Sequence, residues 1–197
     1  MRLINSDADF LESLLGCISE DSITGNDLKD PHDNTCGWLF HCHSFSDWLQ
    51  KGEGIFWMKG NPGAGKSILM KYLLNDHDGL LQNHISSSSR VVRIGFFFRK
   101  TRSSSERTAS SMLRAILAQL FQREKKAYQK SLSALRSLRS PHRTAEHIKW
   151  SDRQLLSVFG SICQGLWGEG VPLRLLIFLD ALDESLDVEM EAVLSCL

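Results

Sequence analysis

An eight-residue run, Gly60-Asn61-Pro62-Gly63-Ala64-Gly65-Lys66-Ser67, narrows the choice of folds more than anything else in the chain. It satisfies GxxxxGK[ST] at every fixed position, against roughly 0.007 chance matches for this length and composition. Residues 54–59 (GIFWMK) come just before it, a short apolar stretch bounded by glycine that reads as a buried strand. A helical pattern over residues 66–75 follows it. Glycines let a backbone wrap closely around an anion. Successive amide N–H groups then converge on it, with the positive end of the following helix behind them. The spacing therefore assigns Gly60, Asn61, Pro62, Gly63, Ala64, Gly65, Lys66 and Ser67 to phosphate binding. Lys66 is expected at the β- and γ-phosphates of a nucleotide and the Ser67 hydroxyl on Mg²⁺.

A second motif lies about a hundred residues downstream. Residues 173–179 form an apolar strand that ends in Asp180, followed closely by Asp183 and Glu184. Ligands of open α/β sheets bind beyond the carboxyl ends of the strands. Asp180 is thus expected to order Mg²⁺, and Asp183 and Glu184 to orient or deprotonate an attacking water. Between the motifs, residues 91–98 (VVRIGFFF) read as another strand. Residues 108–122 and 151–166 carry apolar side chains at helical spacing, the latter opening with a Ser151-to-Gln154 capping box. An amphipathic helix is expected over 6–20, a polar linker over 21–34, and two short helices around Trp38 and Trp48. Strands alternating with helices argue α/β with a parallel sheet. The boundary is expected near residue 50, with a helical and linker segment at 1–50 and a nucleotide-binding domain at 51–197.

Hydrophobic residues make up 42% and charged residues 23%, which excludes wholesale disorder. No apolar run approaches the roughly 20 residues needed to span a bilayer, and nothing resembles a secretory signal. The five cysteines are scattered and read as reduced thiols, so a cytoplasmic location is expected. The zero net charge conceals an acidic start and a basic stretch over 122–143, with seven bases against one acid. A leucine stripe makes that stretch a solvated helix face. With no interleaved aromatic platform beyond Tyr128, nucleic acid is disfavoured as a partner. His32, Cys36, His41, Cys42 and His43 crowd together, but their spacing fits no standard zinc pattern and Cys36 reads as a small buried hydrophobe. Arg99 and Arg102, past the end of a strand, could sense phosphate, yet read better as solvated surface.

Several strings taken together resemble a NACHT domain. They are residues 54–60 leading into the phosphate loop, Phe96-Phe97-Phe98-Arg99, the helix from Met112 to Leu120, and Phe178-Leu179-Asp180-Ala181-Leu182-Asp183-Glu184. With the upstream Thr35-Cys36-Gly37-Trp38-Leu39 and Asp47-Trp48-Leu49, they are similar to the nephrocystin-like N-terminal type found in fungal NLR-like proteins. Gly60 to Ser67 then correspond to the Walker A motif and Asp180 to Walker B, with Ala181 where the family more often has glycine.

The resemblance implies a P-loop NTPase of three-layer α/β/α architecture and a switch module of the STAND class, with ATP or ADP and Mg²⁺ as cofactors. It implies protein partners or self-association, and leaves hydrolysis open. Two other readings stand beside it: a non-catalytic interaction fragment that keeps the motifs, and another P-loop enzyme such as a small-molecule kinase. A GTPase is disfavoured because no NKxD motif occurs. Full modules of this type continue beyond the second acidic motif, so the resemblance implies a fragment with an incomplete sheet. In the order 5-1-4-3-2 expected for such ATPases, no credible fourth strand follows Asp180. The strands flanking its place are then left with unpaired inner edges.

Overall fold

A computed structural model describes residues 14–16, 18–32, 35–76, 79–85, 89–126, 128–129, 151–166, 173–186 and 194. Most of the helix expected over 6–20 and most of the basic stretch lie outside them. Within them, Leu14 and Leu15 are helical and Leu14 is fully buried.

Six helices and two strands carry the described fold: α1 (Glu20–Thr24), α2 (His43–Lys51), α3 (Lys66–Asn75), α4 (Leu80–His84), β1 (Arg90–Phe97), α5 (Ala109–Arg123), α6 (Asp152–Leu166) and β2 (Leu173–Asp180). Short 3₁₀ turns at Gly37–His41, Ser104–Glu106 and Leu182–Glu184 join them. The start signals behave as their chemistry requires. The Thr108 side chain accepts the Ser111 N–H at 3.2 Å to open α5. The capping box at α6 is reciprocal, Ser151 N–H to Gln154 Oε1 at 3.1 Å and Gln154 N–H to Ser151 Oγ at 3.4 Å. The expected polar linker contains a helix, α1, which Ser19 caps by accepting the Ser22 N–H and Gly25 ends at φ 66°.

β1 and β2 pair in parallel, in register from Arg90↔Leu173 to Phe97↔Asp180. Parallel strands need a crossover, and α5 and α6 lie along it. Val92, Ile94, Phe96 and Phe98 face α5 and α6 on one side of the sheet. Phe97, Leu176 and Phe178 face α2, α3 and α4 on the other. Helices therefore cover both faces, in agreement with the α/β expectation.

The two edges of this small sheet are treated differently. At the outer edge of β1, the buried Gln119 of α5 takes the place of a strand. Its Oε1 accepts the Gly95 N–H at 3.1 Å, and its Nε2 donates to the Gly95 carbonyl at 2.8 Å. No comparable plug closes β2 among the described residues. Its free edge borders an apolar groove of about 190 Å³, whose opposite wall is residues 54–58.

Those residues correct the sequence reading: 54–59 forms no strand. Phe56 packs on Phe45 with ring centroids 5.2 Å apart, and Trp48 Nε1–H holds the Gly54 carbonyl at 3.0 Å. Ile55 and Trp57 point outward, 66% and 53% exposed. The alternation is strand-like, but a strand also needs a neighbour for its backbone, and the groove separates this segment from β2.

Candidate functional site

The glycine-rich loop of residues 60–65 follows that segment and turns into α3. The Ala64 N–H donates to the Asn61 carbonyl at 3.2 Å, closing a turn. Gly63 and Gly65 take φ 80° and 81°, a conformation that L side chains rarely adopt. All six residues from Gly60 to Gly65 are exposed. Gly65 precedes α3 and no side chain caps the helix, so its first-turn amides are left to an external acceptor. Lys66 folds back over the loop, Nζ donating to the carbonyls of Gly60 at 2.8 Å and Asn61 at 3.0 Å.

Asp180 ends β2 and is only 5% exposed. Burial pushes its carboxyl pKa up. A hydrogen bond from the Ser67 side chain, the Arg99 charge and the Ala181 N–H pull it back, and Glu184 opposes them. The fold thus brings Ser67 of α3 to Asp180 of β2, the pair expected to share a metal. Oδ2 of Asp180 is buried with no hydrogen-bond partner. A desolvated carboxylate oxygen is costly to leave unpaired, and beside a hydroxyl it is a group that could serve a hard cation. The residues present fit Mg²⁺ with a phosphate ligand.

Asp183 and Glu184, the expected water-activating pair, lie on the 3₁₀ turn after Asp180. Asp183 is exposed. Glu184 is half-buried and otherwise engaged: its Oε2 accepts the Lys100 N–H, and its carbonyl accepts Arg107 Nε at 2.9 Å. Of the two, Glu184 is the one that reaches Asp180 electrostatically.

Ala181 sits at φ 54° and ψ 46°, left-handed backbone in a residue with a Cβ. The turn that swings the acidic pair away from the strand requires this conformation, which explains why glycine suits the position. Ala181→Gly is expected to stabilise the fold by about 1 kcal/mol, relief of left-handed strain outweighing the added unfolded-state entropy. Urea unfolding of both proteins measures it.

The sequence reading placed Arg99 on solvated surface, and the structure corrects this. Phe98 N–H donates to the Asp180 carbonyl at 3.2 Å, so Arg99 leaves the sheet beside Asp180, and its side chain is 23% exposed. The signal was available in the sequence: if β1 and β2 are neighbours, the residue just past one strand lies beside the end of the other. Cys36 is buried next to Leu39, as expected. Among the described residues no cluster of three or more His, Cys, Asp or Glu could hold a metal.

The family model for the N-terminal domain of nephrocystin 3 matches residues 34–197. The chain belongs to this family. No curated protein and no solved structure matches it. Within this nephrocystin-type domain the match begins ahead of α2 and takes in the glycine-rich loop, both strands and the acidic turn. The helical segment before residue 34 lies outside it. No helix among the described residues is long and apolar enough to cross a membrane.

Proposed function

We propose that this domain binds ATP or ADP with Mg²⁺ and serves as the nucleotide-dependent switch of a NACHT-type signalling protein in the cytoplasm. The observation that carries the reading is the buried, unpartnered Oδ2 of Asp180, set beside Ser67 at the start of the phosphate-loop helix. The backbone N–H groups of the exposed loop that are not spent within it, such as those of Gly63 and Gly65, would hold the phosphates with those of the first turn of α3. Lys66 would exchange its two backbone carbonyls for phosphate oxygens, a stronger charge-assisted contact. Ser67 and Asp180 would hold Mg²⁺, which when bound supplies charge neutralisation between the phosphates.

Slow turnover fits the site better than rapid hydrolysis. A base must reach the water it deprotonates, whereas Glu184 is spent on the Lys100 amide and Asp183 is exposed. That arrangement supports a switch whose state outlasts binding. It also keeps a second reading in view, an interaction module that uses the apolar groove beside β2 to take protein partners.

Asp180→Asn tests the metal role. Because the carboxyl pKa is raised in the fold, the folded chain holds that proton more tightly than the unfolded chain. The stability it contributes is full below the ordinary value of 3.8 and is lost as pH rises through the raised one. At neutral pH the ionised group is a cost on the ligand-free fold that asparagine lacks. The variant is expected to unfold at a higher temperature without ligand. In titrations with a fluorescent nucleotide it should lose the Mg²⁺-dependent gain in affinity. Unchanged metal dependence would remove Asp180 from the site.

A further inference from the structure

Residues 18–30 form a strap that is fastened to α3 and to the segment that follows β1. At one end the buried Lys71 of α3 donates from Nζ to the Leu28 carbonyl at 2.9 Å and to Asp30 Oδ1 at 2.7 Å. At the other, just past β1, Arg102 Nη2 holds Asp21 at 3.3 Å and Asp27 at 3.2 Å. Glu106 accepts the Ser19 N–H at 3.0 Å and the Ser22 hydroxyl at 3.1 Å.

Arg99 stands between this strap and the site. Its Nε lies 3.5 Å from Asp27 Oδ2, too long for the 2.7–2.9 Å typical of a charge-assisted hydrogen bond. Nε and Nη2 are both buried with no hydrogen-bond partner. Asp27 is already engaged by Arg102 at the shorter distance. On its other side the Arg99 charge acts on Asp180. A guanidinium with two buried nitrogens that donate to nothing, weakly held by a shared carboxylate and next to the proposed metal ligand, is poised for a stronger anion. A terminal phosphate group matches its planar fork of donors.

We propose that Arg99 reads the terminal phosphate of a bound nucleoside triphosphate, and that it leaves Asp27 to do so, loosening the 18–30 strap. This rests on the nucleotide-site reading above and adds the route by which occupancy reaches the N-terminal segment. A ligand shifts such an equilibrium only by its differential affinity for the two states. A diphosphate, lacking the terminal group, leaves Arg99 on Asp27.

The test uses the full chain with fluorescent ATP and ADP analogues in Mg²⁺, together with hydrogen exchange of the amides at 20–30. Wild type is expected to bind the triphosphate about tenfold more tightly than the diphosphate, and only the triphosphate should speed exchange in the strap. Arg99→Gln should abolish both differences while leaving diphosphate affinity within about twofold of wild type. Asp27→Asn, which removes the competitor but not the reader, should raise triphosphate affinity and keep the preference. A merely structural role for Arg99 predicts parallel loss of both nucleotides in Arg99→Gln and no gain in Asp27→Asn. Either result overturns the proposal, as does equal wild-type affinity for the two nucleotides. Wild type that binds neither would overturn the site reading itself, a result distinct from the others.

Discussion

Replacing Lys66 by alanine is expected to weaken triphosphate binding by about 2–4 kcal/mol, roughly 30- to 1000-fold in Kd. The fold itself should hardly notice. The Lys66 ammonium bonds only to two carbonyls of the exposed loop, Gly60 and Asn61, which water satisfies equally well once it is gone. Titration with a fluorescent ATP analogue and urea unfolding of the same preparation separate the two quantities. An equal loss of stability would mean that the side chain staples the loop instead of serving a ligand. Unchanged affinity would remove the loop from nucleotide binding.

The second large effect is one of stability, at the opposite edge of the sheet. Gln119 is 3% exposed and satisfies both backbone groups of Gly95, while its Nε2 also reaches the Ala115 carbonyl at 3.1 Å. Gln119→Leu keeps a similar volume but strands a buried N–H and a buried C=O in an apolar layer. Each such group costs about 1–3 kcal/mol, so a loss of about 2–4 kcal/mol is expected by urea denaturation. Gly95 itself has no room for a side chain, because a Cβ there would lie 2.5 Å from Leu74 Cδ2 and 2.9 Å from the Ile23 carbonyl. A loss below 1 kcal/mol would show that water enters to replace the glutamine.

The elements most legible in the sequence are those whose signal is local. In α5, Met112, Leu113, Ile116, Leu117, Leu120 and Phe121 follow helical spacing, and all are buried. Helix α3 begins at Lys66 because the phosphate loop ends there. Helix α1 and helix α4, five residues each, are too short to show a period. Their marks are caps: Ser19 and Gly25 for α1, and for α4 Asp76, which accepts the Leu81 N–H at 2.8 Å from across a turn. The failure at 54–59 has another cause. Its composition is that of a strand, but strand formation is a property of two segments, and the neighbour is not encoded in the run itself. The placement of Arg99 is legible only once β1 and β2 are known to be neighbours, which a single run does not encode. The sequence reading pairs Ser67 and Asp180 through a proposed shared cation, and the fold brings the two side chains together.

The most direct measurement is an equilibrium titration of the unaltered chain with a fluorescent ATP analogue, with Mg²⁺ present and again with the metal chelated. Saturable binding that tightens about tenfold or more with Mg²⁺ is the predicted result, as the charges of Asp180 and the phosphates are neutralised together. Binding that is absent, or that has the same affinity with and without Mg²⁺, would contradict the account.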